Sequence, residues 1–282
     1  MKPDLLIEPA LVLRVEVLGV SDLARYVDEA RASAIYPEAT AFRAGGGGAF
    51  WYSHGNIVNS AFGLGMSGPV EQEEVAALIA FFAERDEPAR IDVCPYADSS
   101  LMRWLSTYGF VTTGFETVLL QRVGAEEEGV DEGCSPIRPD GPSVMVREAT
   151  SPEDRELWAE LEARGFGDDV ATDEDLVLAR AIALRRDAVH LIGYVNGQPA
   201  GTGMLVLADG AAMFNGDATL PGFRNKGVQT ALLRARLRRA AEAGCDLAVI
   251  EASPGGTSER NQQRVGFHVA YTRVTMELPR RA

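Results

Sequence analysis

The chain has 282 residues, of which 46% are hydrophobic and 24% charged, a composition typical of globular proteins with one or two domains. Its formal net charge of −14 disfavours sequence-independent binding to nucleic acid or an anionic membrane, since both need clustered Lys and Arg. No apolar run reaches the roughly 18 residues of a membrane span, and no secretory signal is visible at the start, so we expect a cytoplasmic protein.

Cysteine and histidine are sparse and scattered. The three cysteines, Cys94, Cys134 and Cys245, lack metal-ligand spacing, and the three histidines lie far apart in the sequence. We therefore expect no metal cofactor and no Cys/His nucleophile pair.

In the first half of the chain, residues 75–82 have a helical pattern and residues 91–93 form a short apolar strand. A second helical stretch ends at Gly109-Phe110, and residues 116–120 follow as a strand. A segment rich in acidic residues, Gly and Pro comes next and lacks periodicity. We therefore predict domains at residues 1–123 and 143–282, joined by a linker at 124–142.

The second half begins with a strand at 143–149, and Ser151-Pro152 then opens a helix. Asn196-Gly197 predicts a hairpin between two strands, because both residues tolerate positive φ. The remaining predicted elements are a helix at 175–186, a strand at 212–220, a helix at 227–243, a strand at 245–252, a helix at 258–265 and final strands within 267–278. This order predicts a mixed α/β sheet in which a helix connects two neighbouring parallel strands.

The two halves repeat each other weakly. Gly109-Phe110 and Gly266-Phe267 are separated by 157 residues (266 minus 109), and the same offset superimposes the helix at 75–82 on residues 232–239 and the strand at 91–93 on residues 248–250. One constant offset that joins helix, strand and helix indicates two copies of one fold.

Residues 218–231 run from the end of a strand through a loop into a helix. The first turn of a helix has unpaired N–H groups and the positive end of the dipole, so this loop predicts a diphosphate site. Gly227 would admit a phosphate close to the backbone, and Arg224 and Lys226 add positive charge. Neither a P-loop nor a dinucleotide-binding glycine motif is present.

These residues resemble the GNAT superfamily of N-acetyltransferases, whose loop reads Gln/Arg-x-x-Gly-x-Gly/Ala. The segment Arg224-Asn225-Lys226-Gly227-Val228-Gln229 fits it except at Gln229. Leu220-Pro221-Gly222-Phe223 and Arg264-Val265-Gly266-Phe267 resemble two further family segments. The resemblance covers about residues 144–278 and implies an α/β fold of two tandem GNAT-like domains, the N-terminal copy being degenerate.

The resemblance also implies a site for acetyl-coenzyme A. Its diphosphate would bind at the loop and the first helical turn, formed by Arg224, Asn225, Lys226, Gly227, Val228, Gln229 and Thr230. The strand Ala218-Thr219-Leu220 would hydrogen-bond the pantetheine arm through the main chain of Ala218 and Leu220. This strand would splay from the strand at 245–252, and Ser258 and Asn261 would face the thiol end.

The reaction needs a base to take the ammonium proton, and the sequence offers Asp217, Glu251 or a chain of waters. Many family members are thought to protonate the leaving thiolate with a Tyr, and Gln262 occupies that position here. Turnover without a dedicated acid is expected, with Tyr271 as the nearest phenol. The acidic loop between residues 166 and 175 would attract a cationic acceptor.

The predicted function is therefore transfer of an acetyl group from acetyl-coenzyme A to a primary amine, on a small cationic acceptor. A coenzyme A sensor without turnover and an acyltransferase with a longer acyl donor remain alternatives. In the N-terminal copy, the 157-residue offset places Ser67–Gln72 over the loop, where Pro69 and Glu71 oppose phosphate, so one coenzyme A per chain is expected. The sequence leaves a homodimer open.

Overall fold

The computed structural model describes residues 6–124, 143–167 and 169–280. These residues form two compact units. Unit 1 contains residues 6–118, 252–254 and 270–280, and unit 2 contains residues 119–124, 143–167, 169–251 and 255–269. The predicted linker, apart from Gly124, lies outside the described residues.

Unit 1 is a sheet with helices packed against it. Its elements in chain order are α1 (Pro9–Ala32), β1 (Thr40–Ala44), β2 (Gly47–Trp51), β3 (Ser60–Phe62), α2 (Gln72–Ala83), β4 (Arg90–Val93), α3 (Ser99–Tyr108), most of β5 (Val111–Arg122) and the later part of β11 (His268–Glu277). Strands β1, β2 and β3 pair antiparallel, and β3 pairs parallel with β4. The core of this unit includes Leu78, Phe82, Ile91 and Leu105, all nearly inaccessible to solvent.

Unit 2 has the element order that the sequence predicts. It contains β6 (Val144–Glu148), α4 (Pro152–Phe166), α5 (Asp173–Ala183), β7 (Ala188–Val195), β8 (Gln198–Ala208), β9 (Ala211–Thr219), α6 (Val228–Glu242), β10 (Leu247–Ala252) and α7 (Thr257–Val265). Strands β6 to β9 form an antiparallel meander, and α6 crosses over to β10, which lies parallel to β9. Trp158 and Leu220 belong to the core of this unit.

The mixed α/β fold class is confirmed, and the repeat is visible in the structure. Shifted by 157 residues, α6, β10, α7 and β11 coincide within a few residues with α2, β4, α3 and β5. Gly109 and Gly266 both end a helix in the left-handed region, with φ of 87° and 111°. The weak sequence repeat therefore reflects two copies of one supersecondary pattern.

Two features differ from the predicted elements. The final strands within residues 267–278 are one continuous strand, β11, whose residues 270–277 belong to unit 1 and pair there with β4. Residues 119–122, at the end of β5, belong to unit 2, where the N–H of Val123 donates to Asp246 O at 3.0 Å. The compact units thus divide the chain differently from the predicted boundaries.

Helix α1 has no counterpart among the predicted elements. Its buried face includes Glu16 and Asp22 beside Val12, Val15 and Leu18, so charged residues interrupt the apolar stripe by which a helix is recognised. No helix in the described part of the chain combines the length and apolarity that a membrane span requires.

Candidate coenzyme A and acyl-transfer site

The loop between β9 and α6 presents main-chain donors without a side-chain cap. A short 3₁₀ turn at Pro221–Phe223 leads to Asn225 and Gly227, which have φ of 63° and 85°. Gly227 is the N-cap of α6 and has no side-chain oxygen to accept hydrogen bonds from the first-turn amides. The amide groups at this helix start are therefore suited to an external anion.

The basic residues of this loop are exposed. Nε of Arg224 donates to the Thr219 carbonyl at 3.4 Å, and Nζ of Lys226 lies 5.0 Å from the centre of the Phe223 ring. Both side chains therefore carry positive charge beside the start of α6, which adds to the positive end of its dipole.

Strand β9 runs beyond its pairing with β10. Leu247 to Ile250 pair with Ala211 to Phe214, and in the described chain residues 215–219 have no partner on β10. On its other edge, β9 continues to pair with β8 as far as Thr219. The two parallel strands thus separate where the sequence predicted a splay.

Main-chain direction at the end of β9 changes which residues face this gap. The N–H of Leu220 donates to Ala200 O at 3.0 Å, and its carbonyl accepts from the N–H of Phe223 at 2.9 Å. The Ala218 carbonyl also points towards β8, because it lies 2.5 Å from the position a Cβ on Gly201 would take. Since alternate residues point to opposite edges, Thr219 is the residue whose main chain faces the gap.

A bulge marks the place where β9 leaves β10. Gly216 and Asp217 stand opposite the single residue Gly203, between the pairs Thr202 with Ala218 and Met204 with Asn215. Gly216 has φ of 64°, and its carbonyl accepts from the Thr202 hydroxyl at 3.0 Å. A glycine in the left-handed backbone region is common at bulges, where the extra residue bends one strand of the pair.

The fully buried side chain of Arg236, on α6, reaches this bulge. Its guanidinium donates to the carbonyls of Met204 and Asn215 at 3.2 and 3.3 Å, and to both carboxylate oxygens of Asp217. Asp217, a predicted base, is therefore engaged on both oxygens by a buried cation.

Four polar side chains connect α6 with α7. Gln229 Nε2 donates to the Ser258 hydroxyl at 3.0 Å, and Asn261 Nδ2 donates to Gln229 Oε1 at 2.5 Å. Gln262 donates to the same hydroxyl at 3.0 Å and to Glu251 O at 3.4 Å. The structure thus brings together Gln229, Ser258 and Asn261, beside the backbone of the second predicted base.

Gln262, at the position of the family's Tyr, is fully buried. Its Oε1 is buried and has no hydrogen-bond partner among the described residues. A buried carbonyl of this kind costs free energy unless an external donor reaches it, so this region fits a ligand that carries N–H groups.

Tyr271 belongs to unit 1, whereas Asp217 and Glu251 belong to unit 2. Its hydroxyl donates to Glu16 Oε1 at 2.6 Å, and Arg273 donates to the same oxygen at 2.9 Å. Burial, and after it the Glu16 carboxylate, raise the pKa of Tyr271 above its ordinary value, although Arg273 opposes the shift. The structure shows a buried hydrogen bond here, and turnover without a dedicated acid, with Tyr271 as the nearest phenol, stays a prediction.

The acidic loop between α4 and α5 has local functions. Asp169 accepts from Arg164 at 2.6 Å, and Asp175 forms a capping box with Thr172 that lowers the pKa of its carboxyl. The predicted Asp168 lies outside the described residues, and Asp173 and Glu174 stand in the first turn of α5. Much of the loop's acidity therefore serves the start of a helix.

One carboxyl near this loop escaped the sequence analysis. Glu162, on α4, is only 7% exposed, and burial, with Asp175 nearby, raises its pKa to about 7. The signal in the sequence was its spacing from Trp158, four residues earlier, because such residues share one face of a helix.

Comparison with known proteins supports the fold and the family of the second half. Residues 153–270 match the model of the acetyltransferase (GNAT) family. This match spans the loop, the splayed strands and α7, and it confirms the resemblance found in the sequence. A search of the curated proteins found no match.

Solved structures resemble most of the length of this chain. A GCN5-related N-acetyltransferase from Kribbella flavida shares 20% identity with a TM-score of 0.62, over 91% of this chain and 95% of that chain. A tandem GNAT protein from the clavulanic acid biosynthesis pathway shares 13% identity with a TM-score of 0.56, over 93% and 96%. At such identities the likeness shows the fold, which is that of GNAT acetyltransferases, including a tandem one.

Proposed function

We propose that unit 2 transfers an acetyl group from acetyl-coenzyme A to a primary amine on a small cationic acceptor. One observation carries this proposal: the uncapped start of α6 adjoins the stretch of β9 that leaves its partner strand. The first feature suits a diphosphate, and the second offers main-chain groups to an extended amide-bearing arm. The two lie in sequence order along one loop.

Each part of the donor has a proposed binding element. The diphosphate would lie against the amides from Asn225 to Thr230, with Arg224 and Lys226 beside it. The pantetheine arm would follow the free edge of β9 at Thr219, in place of Ala218 and Leu220. The buried Oε1 of Gln262 would accept a hydrogen bond from the arm or from the thiol, while Ser258 and Asn261 hold Gln229 and Gln262 in position.

The chemistry follows from this placement. A neutral amine nitrogen attacks the thioester carbonyl carbon, a tetrahedral intermediate forms, and the carbon–sulfur bond then breaks to release the thiolate. A main-chain N–H on the free edge of β9 would stabilise the developing oxyanion, and a base would take the proton lost by the nitrogen. Holding both substrates in one gap supplies much of the rate.

Preference among acyl donors is tested by measuring both binding and rate of transfer. Calorimetry with acetyl-, propionyl- and octanoyl-coenzyme A, followed by single-turnover assays with one amine, would rank the acyl groups. The proposal expects acetyl-coenzyme A to have the highest kcat/KM. A clear preference for the octanoyl donor would replace it with a longer-chain acyltransferase.

A further inference from the structure

Glu162 lies on the face of α4 that packs against the bulged part of β9. Four residues earlier, the Trp158 ring contacts Gly216, where an added Cβ would lie 2.8 Å from the ring, and its Nε1 donates to Gly203 O at 3.3 Å. Three residues later, a Cβ on Gly165 would lie 2.6 Å from the Ala218 Cβ and 3.2 Å from the Thr219 amide. Residues at these spacings share one helix face, so Glu162 stands over residues 216–219 of β9.

The Glu162 carboxyl has no polar partner in the part of the chain that the structure describes. Among the described residues none donates a hydrogen bond to it and none forms an ion pair with it, although Glu162 is only 7% exposed to solvent. A buried carboxylate without a partner is unfavourable, and a Leu or Met of similar size would fill the same space at no such cost. Packing alone therefore gives no reason for an acid at this position.

Among the described residues, no cationic side chain neighbours the Glu162 carboxyl. Asp175, on α5, is the charged neighbour that acts on it, and this repulsion adds to burial in raising its pKa to about 7. On β9, Asp217 is held by Arg236. On β7, His190 packs edge-on against Trp158 and burial lowers its pKa to about 4, so it is neutral at pH 7. Strand β8 has no titratable residue.

We propose that Glu162 binds the acceptor's ammonium group at the β9 gap and takes its proton, so that the nitrogen attacks as a free amine. One ammonium proton moves from nitrogen to a Glu162 carboxylate oxygen, and the nitrogen lone pair then forms the new bond to carbon. The thiolate leaves with the electrons of the carbon–sulfur bond, and the second proton that nitrogen loses as the amide forms passes to this thiolate, which gives free coenzyme A. Glu162 is then a catalytic residue that sequence analysis did not identify. This inference rests on the proposed function.

The pKa of about 7 suits both tasks. Near neutral pH a substantial share of Glu162 is ionised and can pair with a cation, and the same group is basic enough to hold the proton during turnover. A cationic acceptor would also supply the partner that the buried carboxylate lacks, so binding would lower the cost of its burial.

The test compares Glu162→Gln with Glu160→Gln, a control at an exposed position on the same helix. The probes are acetyl-coenzyme A with whichever of spermidine, kanamycin A and lysine amide the unaltered chain acetylates fastest. We expect Glu162→Gln to lower kcat/KM by about 10² to 10⁴ and to abolish the fall in rate below about pH 7, while the control keeps both. Retained rate and an unchanged acid limb in Glu162→Gln would overturn the inference.

A second readout does not need turnover. Calorimetry above the Glu162 pKa should show spermidine bound at least about tenfold more tightly by the unaltered chain than by Glu162→Gln, as expected when a charged contact is removed. Equal affinities, or no binding of any of the three cations by the unaltered chain, would also overturn it. Loss of acetyl-coenzyme A binding by the unaltered chain would instead refute the proposed function.

Discussion

Both carboxylate oxygens of Asp217 accept hydrogen bonds from the guanidinium of Arg236, which is fully buried while Asp217 keeps 13% of its side-chain surface. The ion pair joins α6 to the bulge in β9, since Arg236 also donates to the carbonyls of Met204 and Asn215. Gly203 leaves the necessary room, because a Cβ there would lie 3.1 Å from the guanidinium carbon. Asp217, which the sequence offered as a base, thus helps to fix the bulged part of β9 against α6.

The first prediction separates these two roles for Asp217. Asp217→Asn leaves a buried cation without its partner and should destabilise the protein by about 3 kcal/mol. Per folded molecule, kcat/KM should stay within about tenfold of the unaltered value, since no general base is lost. Urea unfolding and initial rates measure the two effects.

The matching controls are the single variant Arg236→Met and the double variant that combines Asp217→Asn with Arg236→Met. Because the two residues act as a unit, their separate losses of stability should not add, and the difference gives a coupling of about 1 to 3 kcal/mol. A loss of rate above about a hundredfold in Asp217→Asn, with unchanged stability, would make Asp217 the base after all.

The second prediction concerns the loop glycine. Gly227→Ala places a Cβ in the left-handed region at the start of α6, where we propose the diphosphate binds. Gly244→Ala introduces comparable backbone strain, with φ of 75°, just beyond the other end of the same helix, in open space. Each substitution should cost about 1 kcal/mol of stability, but Gly227→Ala alone should weaken acetyl-coenzyme A binding. Equal affinities in the two variants, measured by calorimetry, would remove the diphosphate from this loop.

A third prediction is that one coenzyme A binds per chain. At the start of α2, the counterpart of α6, Glu74 Oε2 accepts from the Glu71 N–H at 2.9 Å, and its Oε1 accepts from the Gly45 N–H at 2.8 Å. Glu71, Glu73 and Glu74 surround amides that would otherwise attract phosphate. Acid at this helix start therefore repels a second diphosphate. Calorimetry should give a stoichiometry of one, and two equivalent sites would contradict the assignment of unit 1.

A fourth prediction follows from the raised pKa of Glu162. Between its ordinary value of 4.5 and its folded value of about 7, the folded chain holds a proton that the unfolded chain has lost. Its contribution to stability is therefore fully present below 4.5 and is lost as pH rises through about 7. Glu162→Gln lacks this loss, so relative to the unaltered chain it should gain on the order of 3 kcal/mol between about pH 5 and pH 8.

His190 requires that this comparison be made between the two chains rather than on one alone. Its folded pKa of about 4 lies below the ordinary 6.5, so its contribution is present above 6.5 and is lost as pH falls towards 4. The two trends oppose each other within one chain. The His190 trend is the same in both chains and cancels in the difference between them, which leaves the trend of Glu162. A stability difference that does not change with pH would show that Glu162 is not perturbed.

The sequence predicted the elements whose signals are local. Ser151-Pro152 opens α4, Asn196-Gly197 turns the hairpin and Gly266 ends α7 in the left-handed region, as local rules require. At Arg224 to Gly227 a helix start, a glycine and two cations coincide in a short segment, and for this reason the sequence offers the loop as a candidate diphosphate site.

The features that escaped prediction depend on contacts far apart in the chain. In the sequence, Arg236 has the appearance of an exposed residue of a basic helix. Its burial follows from its contact with Asp217, which lies 19 residues earlier in the chain. The position of Glu162 over β9 depends on packing against residues more than fifty positions later in the chain. Helix α1 was not predicted because the buried Glu16 interrupts its apolar face. The path of β11 is set by pairing with β4, which no local pattern in residues 268–277 reveals.

Acyl transfer to an amine is tested by following both products of the reaction at once. The full chain is incubated with acetyl-coenzyme A and, in separate reactions, with spermidine, kanamycin A or lysine amide. Free thiol is followed over time, and the acetylated amine is identified and quantified by mass spectrometry. We expect thiol release that depends on an amine and is matched one for one by acetylated product. Tight binding of acetyl-coenzyme A with no amine-dependent thiol release would contradict this expectation and would identify a coenzyme A sensor.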